Sequence, residues 1–215
     1  LQATVHSELI HDIRSGWDPA WIDRGAKKMN LGELRMLYDS DPSNRMPGVL
    51  IELAFHDQPE DAAALKDPRF NQLAARAIYQ GIVKYFEARD DVDLTLAPEP
   101  PTHLQVRNAG GGTVRVSWRP SPVDATGLGG EAATAYRVYT SPDGLAWGEP
   151  KTVIETHYDI TGIEEGTSLY VYVTGINSGG ESFPTERLGA RVGDPRLLIV
   201  SGFEKLSHSG WLRGH

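Results

Sequence analysis

Cysteine is absent from the 215 residues, which excludes disulfide staples and thiolate-ligated zinc and leaves the redox compartment open. No apolar run approaches the roughly 18 residues that a membrane span needs. Positive charge is in deficit: 21 Lys and Arg stand against 29 Asp and Glu, a formal net charge of -8. No basic stripe offsets that balance, so a nucleic-acid surface is not expected. A Gly-rich phosphate loop is also missing, which weakens any reading as an α/β enzyme with a bound nucleotide. There is no initiator Met and no signal peptide at Leu1, where the pattern already looks helical, so a fragment or processed product is expected. What is present is ordinary for a globular protein, with 40% apolar and 23% charged residues, in a length that fits one large domain or two small ones.

The rest of the chain is organised around Met46 to Phe55, Met-Pro-Gly-Val-Leu-Ile-Glu-Leu-Ala-Phe. Val49, Leu50 and Ile51 form an apolar run with β-branched character, which predicts a strand buried on both faces, as in a parallel sheet under helices. Glu52 interrupts it. A carboxylate among aliphatic side chains costs several kcal/mol, roughly, unless it is paired, bound to metal or protonated. Two readings follow: the carboxylate caps a helix or pairs with an Arg, or it closes the strand and reaches the ligand crevice found at strand ends in open α/β sheets.

Upstream, Val5, Leu9, Ile10 and Ile13 mark one helical face, ended by Gly16. Asp18-Pro19 predicts a helix restart, with Asp as N-cap and Pro in the first turn. Leu34, Met36 and Tyr38 alternate as a short strand, followed by an Asp-, Ser- and Pro-rich loop through Pro47. Pro59-Glu60-Asp61 opens a short helix, and Asp67-Pro68 a long one whose face holds Phe70, Leu73, Ala74, Ala77, Ile78, Ile82, Tyr85 and Phe86, a core stripe. Residues 90–100 are acidic and proline-rich, a linker composition. Beyond them the period becomes two. Leu104 and Val106; Val114, Val116 and Trp118; Tyr136, Val138 and Thr140; and Leu169, Val171 and Val173 each line one strand face. Roughly seven short strands in about 95 residues read as a β-sandwich with Trp118 as its core plug. Tyr139, Tyr170 and Tyr172 fall on the opposite parity. They form an outer face that either stacks on sugar rings or reflects only the preference of Tyr for strands. Leu197 to Val200 is a further apolar run, read as the start of another module.

Two families are resembled. Thr113 to Trp118, Tyr136 to Tyr139, and Gly166 to Asn177 with Gly180-Glu181-Ser182 and Pro184 resemble a fibronectin type III domain over 101–192. The corner tyrosine of that family would align with Leu169. In the first ninety residues, Ile22-Asp23-Arg24-Gly25-Ala26-Lys27, Asn30-Leu31, Glu33-Leu34-Arg35, Pro47 to Phe55, Glu60-Asp61-Ala62 and Ala74 to Tyr85 resemble the C-terminal half of the zinc-dependent N-acetylmuramoyl-L-alanine amidases. The expected fold is therefore multidomain: a partial α/β amidase domain, its sheet flanked by helices (1–89), a linker (90–100), an all-β sandwich (101–192) and the start of a further module or tail (193–215).

The resemblance implies that Glu52 stands beside a zinc held by two His and a Glu and helps water attack the amide between a muramoyl lactyl group and L-alanine, in peptidoglycan outside the cytoplasm. It also implies that the zinc ligands lie upstream, so that this chain alone is inactive. His6 and His11, five residues apart, sit about 500° apart around a helix and do not share a face. Arg24 and Asn30 are candidates for lining the substrate groove, against ordinary loop hydrogen bonding. His56 and Asp57 depart from the apolar and small residues usual after the motif. The competing expectation is a non-catalytic wall-binding or adhesion protein on a degenerate amidase fold.

Overall fold

A computed structural model describes residues 1–37, 41, 46–123 and 128–193. The chain divides into two compact units, with the boundary between Leu94 and Thr95.

The first unit is helical: α1 (Gln2–Gly16), a 3-10 stretch (Gly32–Leu37), α2 (Pro59–Lys66) and α3 (Pro68–Asp90). The cap signal at Asp67-Pro68 is realised, since the Asp67 carboxylate accepts from the Arg69 backbone N–H at 2.8 Å and Pro68 needs no donor in the first turn. Asp91, in the left-handed conformation at φ 53°, closes α3. The core joins Leu9 and Ile13 of α1, Ala64 of α2, and Phe70, Ala74 and Ala77 of α3. Trp17 and Trp21 sit on the Phe70 ring at 5.3 and 5.0 Å. The buried face of α3 is rotated from the expected stripe: Gln80 and Gly81 are buried while Ile82 is 37% exposed. Gly81 is the reason α1 lies so close, because a Cβ there would stand 2.7 Å from the Val5 Cα.

Three local expectations are corrected. Asp18-Pro19 opens a single turn rather than a helix, with the Trp21 N–H bonded to the Asp18 carbonyl at 3.0 Å, and the Trp21 ring is drawn onto Phe70. The expected strand at Leu34 is the 3-10 stretch Gly32–Leu37; Tyr38 and most of the following loop lie outside the described residues. The Glu52 segment is not a strand buried on both faces. It pairs with no other described backbone, and its burial alternates, with Val49, Ile51 and Leu53 half-covered against the helices and Leu50 and Glu52 exposed. A lone extended segment has one covered face, and a second covered face needs neighbouring strands.

The second unit is a β-sandwich. One sheet orders β1 (Thr102–Gly110), β2 (Thr113–Arg119) and β5 (His157–Ile160). The other orders β4 (Lys151–Val153), β3 (Ala135–Ser141), β6 (Ser168–Asn177) and β7 (Gly180–Glu181), with β8 (Leu188–Arg191) also on β6. All pairings are antiparallel. Leu104, Val114, Val116, Trp118, Tyr136, Val138, Leu169, Val171 and Val173 are buried between the sheets, the positions that the period of two selects. Trp118 meets Tyr136 edge-on at 5.4 Å. Leu169, standing where the corner tyrosine would be, is buried in the same core. The second half of the proline-rich stretch joins this unit: the Leu96 N–H donates to Glu131 at 2.8 Å, Asn177 donates to the Leu96 carbonyl at 2.8 Å, and Pro98 is fully buried. The apolar run at Leu197 lies outside the described residues.

Candidate functional site

Within the first unit, α1, the segment around residues 20–31 and the extended segment 49–55 enclose a groove of about 900 Å³. Its apolar wall comes from α1 through Val5, Leu9 and Ile13, and its opposite wall is the Glu52 segment. Glu52 and Arg24 both line it. Asn30 does not, although its neighbours Met29 and Leu31 do. Glu52 is exposed, and among the described residues its carboxylate has no hydrogen bond, ion pair or helix end to cap.

Arg24 is held differently. Its guanidinium lies over the Phe55 ring, 4.8 Å from the centroid, a cation–π arrangement that orients the group without neutralising it. Phe55 is itself fixed, because its backbone N–H donates to the Asp61 carboxylate in the first turn of α2 at 2.8 Å. The loop before Arg24 is shaped by Asp23, whose carboxylate accepts from the Gly25 N–H at 2.6 Å and pairs with His6 Nε2 at 2.8 Å. The Gly25 bond first, then the His6 bond, hold the Asp23 carboxyl below its ordinary range. Gly25 takes φ 76°, a left-handed backbone that a side chain would strain. The roles of Asp61, Phe55 and the His6–Asp23 pair were not read from the sequence. The available signal was an acidic residue in the first turn of a helix, a position suited to a free backbone donor.

The metal site implied by the resemblance is not formed by these residues. Among the described residues no group of three or more His, Cys, Asp or Glu could hold an ion. His6 is engaged by Asp23.

On the outer face of the sandwich, Tyr139 and Tyr172 stack on each other at 4.6 Å, and Trp147 abuts Tyr172 at 4.4 Å. The Tyr139 hydroxyl donates to Glu181 at 2.8 Å. The Tyr170 ring packs over Gly144 and Gly189, where an added Cβ would come within 3.3 and 3.1 Å of it. The three tyrosines share a face, and much of their ring surface is spent on one another and on the sheet.

Comparison with known proteins follows the same division. Residues 99–190 match the fibronectin type III domain, and residues 1–84 match the N-acetylmuramoyl-L-alanine amidase family. An uncharacterized cell wall amidase of Bacillus anthracis is 46% identical over 65 residues, 30% of this chain and 11% of that protein. A germination-specific N-acetylmuramoyl-L-alanine amidase of Bacillus subtilis is 40% identical over 45 residues, 21% of this chain and 19% of that protein. The chain thus spans only a small part of the length of the curated relatives it matches. A crystal structure of titin domains is 24% identical, covering 46% of this chain and 34% of that one, with a TM-score of 0.40. A helical N-terminal part that matches the N-acetylmuramoyl-L-alanine amidase family is followed, in one chain, by a β-sandwich that matches the fibronectin type III domain.

Proposed function

We propose that this chain is part of a peptidoglycan hydrolase that cleaves the amide between N-acetylmuramic acid and L-alanine, with Glu52 as general base. The observation that carries the reading is the state of Glu52: an exposed carboxylate on the wall of a 900 Å³ groove, without a structural partner among the described residues, in the stretch that matches the amidase family. A carboxylate so placed takes a proton from the attacking water as the new C–O bond forms, and returns it to the departing amide nitrogen as the C–N bond breaks. Arg24 lines the substrate groove. Asn30 is proposed to reach substrate from beside it.

Zinc is the cofactor that the family resemblance implies, and its ligands are proposed to lie upstream of the stretch that carries the resemblance. The isolated chain is therefore expected to be inactive. In this layout residues 1–89 are the C-terminal part of the catalytic domain, 90–100 a linker, 101–192 the sandwich that spaces or docks it, and 193–215 the start of a further module. The site of action is extracytoplasmic, on cell wall. Glycan contact through Tyr139, Tyr170 and Tyr172 is a secondary proposal, limited to the ring surface left free by their mutual stacking.

The test is release of L-alanine-terminated peptides from peptidoglycan by the full-length protein carrying this chain. Glu52→Gln is expected to reduce release by about two to four orders of magnitude, as for loss of a general base, with wall binding retained. Wall binding with no cleavage by the unaltered protein would instead support the non-catalytic binding protein.

A further inference from the structure

The linear sequence shows no basic stripe, but the three-stranded sheet of the sandwich assembles one. β1 contributes His103 and Arg107, β2 Arg115 and Arg119, and β5 His157 with the one acid of these strands, Asp159. Val114, Val116 and Trp118 of β2 are buried in the core, so strand alternation puts Arg115, Ser117 and Arg119 on the outer face. The register sets Arg107 directly opposite Arg115 and Arg115 opposite Asp159; one row on, Gln105, Ser117 and His157 lie side by side. The three arginines and His157 are exposed.

Like charges directly opposite on one sheet face repel and weaken the pairing. Asp159 relieves only half of this. Its carboxylate takes two donors from Arg115, at 2.7 and 2.6 Å, whereas Arg107 and Arg119 have no carboxylate and no hydrogen-bond acceptor among the described residues. On a chain with a formal net charge of -8, a face where arginines outnumber carboxylates is a local exception. Its own strands do not supply the missing counter-charge.

We propose that this outer face binds an anionic polymer of the cell wall that carries a phosphodiester in each repeat, such as a polyol phosphate chain. The wall location rests on the amidase reading; the anionic repeat rests on the face itself. A guanidinium fork matches two phosphate oxygens, and Ser117 and His157 supply further donors in the row between. Arg115 and Arg119 lie four residues apart on β2, roughly 13 Å of strand. Successive phosphates of a glycerol phosphate chain are one glycerol unit apart, a shorter span, so neighbouring phosphates meet both ends of the row. An open sheet face suits an extended polymer, which needs no enclosing pocket.

The test is calorimetric titration of poly(glycerol phosphate) into the full-length protein carrying this chain. Binding is expected, and it should weaken as salt screens the charges. Arg107→Gln and Arg119→Gln are each expected to weaken it about threefold, the scale of an exposed charge pair, and about tenfold together. Asp159→Asn is expected to tighten binding, because it frees Arg115, an effect that damage to the fold does not produce. Arg107→Gln should not lower the thermal midpoint of the sandwich, since it removes a like-charge pair. No binding, binding that both Gln variants leave unchanged, or equal or tighter binding of single-stranded DNA or of vesicles of equimolar phosphatidylglycerol and phosphatidylcholine overturns the proposal. Hydrolysis of peptidoglycan stripped of phosphate polymers separates the two readings. Hydrolysis without polymer binding sinks the surface and leaves the amidase reading intact, whereas polymer binding without hydrolysis sinks the amidase reading and leaves the surface its role.

Discussion

At the scale of single residues, two carboxylates in the helical unit have opposite fates. Glu52 is exposed, whereas Asp12 is buried on α1, 1% exposed, and its Oδ2 has no hydrogen bond among the described residues. Burial foremost, and then the negative charge of Glu8, push the Asp12 carboxyl up from 3.8 to about 6, against the pull of His11 and Lys84. The fold therefore prefers the protonated acid. Its contribution to stability is fully present below the unfolded value of 3.8 and is lost as the pH rises through about 6. Asp12→Asn keeps the shape and cannot ionise. It is expected to raise stability at neutral pH by up to about 3 kcal/mol and to flatten the pH dependence between 4 and 6 that the raised Asp12 carboxyl gives the wild-type protein. Urea denaturation followed across that range checks this; an unchanged slope would show that Asp12 ionises freely in the fold.

Helices α1 and α3 show how one small residue sets a whole interface. Alanine is favoured over glycine in a helix interior by about 1 kcal/mol, so helix propensity alone predicts that Gly81→Ala stabilises. The structure predicts the reverse, since the new Cβ would stand 2.7 Å from the Val5 Cα, a backbone atom that cannot swing away. Overpacking of this kind costs about 1–3 kcal/mol, and the helices must also separate along the line joined by the Lys84–Glu8 ion pair. A lower thermal midpoint for Gly81→Ala is expected, and a higher one would mean that the helices are free to slide. The neighbouring element teaches a related lesson. Asp61 serves a backbone donor of the Glu52 segment rather than α2, so a helix cap motif in the sequence became the anchor of one wall of the groove.

For the whole molecule, two units with separate cores make stability a local matter. Among the described residues, the aliphatic and aromatic core of the sandwich contains no residue of the first ninety, and the helical core, Leu9, Ile13, Ala64, Phe70, Ala74 and Ala77, contains none of the sandwich. Trp118→Ala is expected to cost about 3–5 kcal/mol in the sandwich alone. Scanning calorimetry of the full chain should then show one transition moved by Trp118→Ala and a different one moved by Gly81→Ala. If either substitution shifts both transitions equally, the units unfold as one. The net charge of -8 is carried by both parts of the sequence, and no described helix is long and apolar enough to cross a membrane.

The strands of the sandwich and the proline caps of α2 and α3 were legible in the sequence, because side-chain alternation and capping chemistry are local signals. The order of the amidase-like and fibronectin-like blocks was legible through the resemblance of their motifs to those families. Other features depended on residues distant in sequence. Asp18-Pro19 carries a helix signal, yet Trp21 is drawn onto Phe70. Ile82 continues an apolar stripe, yet the close approach of α1 at Gly81 turns it outward. Val49 to Ile51 read as doubly buried, yet no described strand lies beside them to cover the second face. Arg24 looks like any loop cation until Phe55, held by Asp61, is found beneath it. Local propensity is a matter of about 1 kcal/mol per residue, and burial of a large side chain is worth about 2–3, so where the two disagree the tertiary fold decides.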